Sequence, residues 1–129
     1  MSRGYDRHQE RKAALNSLGR PLARRARSRC ELCEGAVSLR PFEVPPSGDE
    51  VALERTLLLC DPCLNALEKG RPDGNRWNFL SSAVWNELAP AQVCAVRLTR
   101  ILAESGQDWA ARLLEDLYLP PEIEEWLNS

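Results

Sequence analysis

An α+β fold, mainly α, in which a small cysteine-bearing finger with a short β-hairpin precedes a helical bundle, follows from three features of the chain. Cysteines stand in two C-x-x-C pairs, Cys30/Cys33 and Cys60/Cys63. Between the pairs lie two strand-like segments, AVSLRPFEV and TLLL, on either side of the turn-rich PPSGDE. Beyond the second pair, Val84, Leu88, Ala91, Ala95, Leu98 and Leu102 recur at spacings of three and four, the stripe of a buried helix face. At 129 residues, 43% hydrophobic and 28% charged, the chain has the size of one globular unit able to bury about two thirds of its extended surface. Four Trp, two Tyr and two Phe are its only aromatics, so the core leans on Leu, Val and Ala, which favours packed helices.

The elements follow in order. Residues 1–29 form a basic helical arm, with nine Arg or Lys against Asp6 and Glu10. It reads as a helix over about 8–18, interrupted at Gly19 and Pro21, and then a turn leading into Cys30. Residues 30–70 form the finger. Its helix starts where Asp61 caps and Pro62 takes the first helical position, and it ends at Gly70. Residues 71–129 form a helical bundle packed on the finger as one globular unit. The turn RPDG opens it, Pro90 begins a new helix after a break near Ala89, and Gly106 closes that helix. Trp109, Leu113 and Leu117 line the next helix, and after Pro120 and Pro121 a last face carries Ile123, Trp126 and Leu127.

Two thiolates three positions apart can point at one ion from a tight turn, and two such turns complete a tetrahedron. Cys30, Cys33, Cys60 and Cys63 are therefore the predicted ligands of one structural Zn²⁺. The second pair opens a capped helix, CDPCLNALEKG, whereas a zinc ribbon carries both pairs on hairpin turns. That selects a treble clef, in which the helix N-terminus faces a site carrying net charge −2. A thioredoxin-like redox motif needs one pair in an α/β sheet, and an Fe–S cluster lacks supporting context here. Cys94, on the edge of the apolar stripe, reads as a packing residue.

Charge is divided sharply: +7 over residues 1–29 and −9 over 30–129. Arg20, Arg24, Arg25, Arg27 and Arg29 are candidate phosphate-binding residues, with Arg27 and Arg29 placed to screen the thiolates as well. Glu43, Asp49, Glu50 and Glu54 read as solvated loop carboxylates, and Trp77, Phe79 and Trp85 as core or as the mark of a protein interface. No apolar run reaches the length of a signal or membrane segment, which makes the cytoplasm the expected compartment, with no membrane partner.

The run RCELCEGAVSLRPFEVPP followed by LLLCDPCLNALE resembles the treble clef of HNH nucleases. There the strand after the first knuckle carries a catalytic histidine; here it reads Arg40, Pro41, Phe42, Glu43 and Val44, and the single His8 lies in the arm. CELC, EVPP and LLCDPC, then RWNFLSSAVWNELAPAQVCAVRLTRIL and WAARLLEDLYL, more closely resemble the amino-terminal portion of PhnA-like proteins, over about residues 28–127. That resemblance places the metal on the same four cysteines. Glu34 departs from it, because the family usually has Gly directly after the second cysteine, where a positive backbone angle is needed. A PhnA-like, non-enzymatic binding or adaptor module is the function expected, with a protein or a nucleic acid as partner. The alternative is an HNH-like or phosphonate-related hydrolase.

Overall fold

The computed structural model describes residues 3–129; the first two residues of the basic arm lie outside it. Among the described residues, seven α-helices, two single-turn 3-10 helices and one two-stranded sheet make up the regular structure. Helices α1 (Arg3–Ser17) and α2 (Gly19–Ala26) lead to the first cysteine pair. Strands β1 (Leu39–Glu43) and β2 (Thr56–Cys60) pair antiparallel, with Leu39 opposite Cys60 and Glu43 opposite Thr56. Helix α3 (Asp61–Lys69) follows β2 without a loop. The remainder is helical: α4 (Leu80–Ala83), α5 (Ala89–Glu104), α6 (Asp108–Asp116) and α7 (Pro121–Leu127). Knuckle, hairpin and helix in this order are the parts of a treble clef, and the fold is α+β, mainly α, as predicted.

The arm departs from its sequence reading. Gly19 and Pro21 do break the first helix, but Leu18 to Leu22 at once begin a second, with Leu22 N–H donating to the Leu18 carbonyl at 2.9 Å. Proline costs nothing in a first turn, where its missing N–H has no intrahelical partner to lose. The product is α2 in place of the predicted turn, and its Leu22 is fully buried. At the start of α3 the cap falls one residue early: Cys60 is the extended capping residue and Asp61 is already helical. Gly70 ends α3 with φ +64, as a left-handed cap requires.

Proline in β1 is explained by register. Val44 N–H donates to Arg55 O, and Leu58 N–H donates to Glu31 instead of to β1. Leu58 and its neighbour Pro41 are therefore a non-hydrogen-bonded pair, and the face on which proline lacks its N–H points away from β2. Every residue of β2 is buried, and Leu57 and Leu59 join Val93, Val96, Leu98, Leu80 and Val84 in one core that also contains Cys30, Cys60 and Cys63. α5 is its centre. Leu88 is extended, Pro90 lies in the first turn of α5, and the stripe residues Val84, Ala91, Ala95, Leu98 and Leu102 are buried. At the far end Trp126 of α7 donates its indole N–H to Pro45 O at 2.9 Å, and the Arg55 guanidinium sits 4.0 Å over its ring. Among the described residues no helix is long and apolar enough to cross a membrane.

Candidate metal centre

The first knuckle is a self-closed turn. Cys30 N–H donates to Gly35 O at 2.7 Å and Glu34 N–H returns to Cys30 O at 2.9 Å. That closure holds Glu34 at φ +68, the conformation that a glycine at this position supplies without strain. Glu31 then fastens the turn to the free edge of β2, its N–H on Leu58 O and its carboxylate accepting from Leu58 N–H, both at 2.8 Å. The second pair is placed by the direct passage from β2 into α3, which puts Cys60 at the cap and Cys63 in the first turn.

These elements bring the four sulfurs within 4.8 Å of one another, Cys33 and Cys60 being 3.5 Å apart. A tetrahedron of thiolates with metal–sulfur bonds of about 2.3 Å has edges of about 3.8 Å, so the cluster is the right size for one ion. Cys30, Cys60 and Cys63 are buried and Cys33 half-buried. Backbone amides face the sulfurs: Leu32 and Cys33 donate to Cys30 Sγ at 3.4 and 3.5 Å, and Gly35 donates to Cys33 Sγ at 3.4 Å. As free thiols, Cys30, Cys60 and Cys63 titrate apart. Cys30, accepting from Cys63 and from backbone amides, is pulled down to about 4, whereas burial pushes Cys60 up to about 11. The hydrogen bond to Cys30, with burial, drives Cys63 higher still. Four neighbouring thiolates repel one another, and only a cation stabilises all of them together.

The guanidinium that reaches a sulfur is Arg76, whose Nη2 donates to Cys33 Sγ at 3.4 Å, and not Arg27 or Arg29 as the sequence suggested. Arg76 is forty-three residues from Cys33. Its only local signal is Trp77 beside it, which is buried, donates its indole N–H to Asp73 O, and has the Arg76 guanidinium 5.5 Å from its ring. Arg27 and Arg29 instead line a cleft of about 950 Å³ between the first knuckle and the α4–α5 connection.

The five arginines of the predicted phosphate-binding set separate. Arg25 turns into the fold: its Nε and Nη2 clasp the Glu31 carboxylate at 2.8 and 2.9 Å, while Nη1 and Nη2 donate to Leu53 O and Thr56 O. With its donors so engaged, Arg25 leaves the set. Arg20, Arg24, Arg27 and Arg29 remain exposed, with no carboxylate within ion-pair distance among the described residues. Arg11, unremarked in the sequence, pairs with Glu43 through two nitrogens and also donates to Gly48 O and Asp49 O. His8 is exposed on α1. Cys94 is fully buried in α5, where burial pushes its thiol up to about 12, consistent with packing. Comparison with protein-family models, with curated proteins and with solved structures finds no match.

Proposed function

We propose that the chain is a PhnA-like, non-enzymatic binding module, held together by one structural Zn²⁺ on Cys30, Cys33, Cys60 and Cys63, whose partner is a protein or a nucleic acid. The observation that carries this reading is the four-sulfur cluster itself. Soft thiolates select zinc over magnesium or calcium, and four of them complete its tetrahedron, leaving no position for a substrate or an activated water. The surroundings support it. On β1, where an HNH-like enzyme needs a histidine, Glu43 is the single ionisable group turned toward the arm, and it is clasped by Arg11. A carboxylate held by two guanidinium donors is a poor general base.

The test has two arms. Metal analysis of chain purified without chelator is expected to give one zinc per chain, and cobalt substitution the absorption of a tetrahedral tetrathiolate. Plasmid DNA, RNA or an alkylphosphonate incubated with that protein and magnesium or manganese is expected to remain intact. Turnover retained in His8→Ala and abolished in Glu43→Ala would overturn the non-enzymatic reading.

A further inference from the structure

We infer that the cleft beside the first cysteine knuckle seats a single-stranded nucleic acid, its phosphates following Arg20, Arg24, Arg27 and Arg29 and a base turned in against Phe79. This rests on the binding-module reading and names its partner.

Periodicity supplies the first argument. Arg20, Arg24 and Arg27 are spaced by four and three residues, so they share one face of α2 and its cap, while Leu22 and Arg25 take the inward face. Arg29 carries the row on to the cleft wall. Among the described residues these four exposed guanidiniums have no carboxylate within ion-pair distance, whereas Arg11 and Arg25 of the same arm are clasped by Glu43 and Glu31, so the four form a row of positive charge. Strain supplies the second. Arg27 and Ser28 both have φ +56, a conformation costing an ordinary residue about 1–2 kcal/mol, and they are held there by Ser28 N–H on Ala23 O at 2.9 Å. The strained turn is the one that delivers Arg27 and Arg29 to the cleft, which is where such strain is characteristically retained.

The opposite wall has different chemistry. Phe79 is half-buried and tilted against Trp77, ring centroids 5.8 Å apart, so its position is fixed. Beside it Asn86 spends its side-chain oxygen on Leu88 N–H at 2.8 Å, which orients the amide and leaves its NH₂ to donate. Glu34 and Glu87 also border the cleft and repel phosphate, confining the backbone to the arginine side. A base facing Asn86 and Glu87 meets a donor and an acceptor. A basic track with an aromatic platform is the arrangement that binds single strands, since every base has a face to stack. A duplex keeps its bases inside and reaches Phe79 only by extruding one. An anionic membrane or a phosphopeptide would use the arginines and leave Phe79 idle.

The test uses the full-length, zinc-loaded chain with fluorescently labelled oligouridine and oligothymidine, read by anisotropy across a salt series. Four phosphate contacts give a log–log salt slope of about −2.8, or roughly 50-fold weaker binding at 200 mM than at 50 mM salt. Arg24→Gln with Arg27→Gln should halve the slope to about −1.4. Phe79→Leu, which keeps the apolar filling, should weaken binding about tenfold at unchanged slope, and Phe79→Trp should restore it. Arg100→Gln with Arg112→Gln, outside the row, should change neither. Zinc content and thermal unfolding verify that each variant is folded. Tighter binding of oligouridine than of oligothymidine would identify RNA as the source of the strand, and the reverse would identify DNA. The inference is overturned by absence of binding to both strands at low salt, by equal affinity for duplex, by a Phe79→Leu variant that binds as the parent does, or by anionic vesicles competing equally well. Each of these leaves the closed metal site and the module reading intact; cleavage of the oligonucleotide would overturn the non-enzymatic reading.

Discussion

Replacing Arg25 by alanine deletes four hydrogen bonds and leaves the Glu31 carboxylate, 5% exposed, with Leu58 N–H as its one remaining donor. Removing one partner of a buried ion pair costs about 3–5 kcal/mol, because the other charge stays desolvated. The Arg25 side chain is 23% exposed, so water can reach the vacated space, and the expectation falls to the lower bound, about 3 kcal/mol. That is roughly a hundredfold in the folding equilibrium. The assay is urea unfolding at fixed free zinc, with Arg24→Ala as comparison, since Arg24 is exposed and its loss should cost less than about 0.5 kcal/mol. Arg25→Ala with Glu31→Gln removes the stranded charge while keeping an oxygen for Leu58 N–H, and should recover part of the loss. If Arg24→Ala and Arg25→Ala are equally mild, or the double variant is worse than the sum of its parts, the clasp is not what ties α2 to the finger.

Cys63→Ser should abolish stoichiometric zinc and unfold the finger, since such sites contribute on the order of 10 kcal/mol to folding; acidification should release zinc from the parent because protons compete for the thiolates, both read by metal analysis after gel filtration. Glu34→Gly should stabilise the protein by about 0.5–1 kcal/mol in the same urea assay, by relieving a left-handed residue at φ +68. Cys94 should resist alkylation in the folded protein. Burial holds its folded pKa at about 12, above the 9.0 of an unburied thiol, so its contribution to stability is complete below pH 9 and disappears between pH 9 and 12. Parent stability should therefore fall more steeply than that of Cys94→Ala across that window, by up to about 1.4 kcal/mol per pH unit.

Local chemistry was legible in the sequence, and long-range partnership was not. The C-x-x-C spacing located all four sulfurs because a knuckle is built within a few residues, and the spacing of Val84 through Leu102 located the core because burial repeats with the helix. The arm was read as one helix, a break and a charged turn, with no inward face. Its inward face was nevertheless written in the periodicity of Leu18, Leu22 and Arg25, three and four residues apart, which a Gly-Pro break obscured. Arg76 on Cys33 and Arg11 on Glu43 had no such trace, since they depend on how elements forty-three and thirty-two residues apart pack. Glu34 shows a third case: the need for a positive angle was visible, yet only the closed turn from Cys30 to Gly35 shows that a glutamate is made to meet it.

These contacts form a chain of dependence from the metal centre to the basic row. The four cysteines fix the first knuckle; the knuckle fixes Glu31; Glu31 fixes Arg25; and Arg25, with Leu22, fixes α2 on β2. α5 is anchored differently, by Val93, Ala95, Val96 and Leu98, all completely buried among apolar neighbours. Removing zinc should therefore loosen α2 before it loosens α5. Amide hydrogen exchange after chelation measures this residue by residue, because local opening exposes amides at free energies below that of global unfolding. The amides of α2 and the knuckle are expected to lose protection together while those at the centre of α5 keep most of theirs. If α2 stays protected when the knuckle does not, Leu22 alone holds it, and the metal centre does not control how the arginine row is presented. If α5 loses protection equally, the four cysteines hold the whole core together and not only the finger.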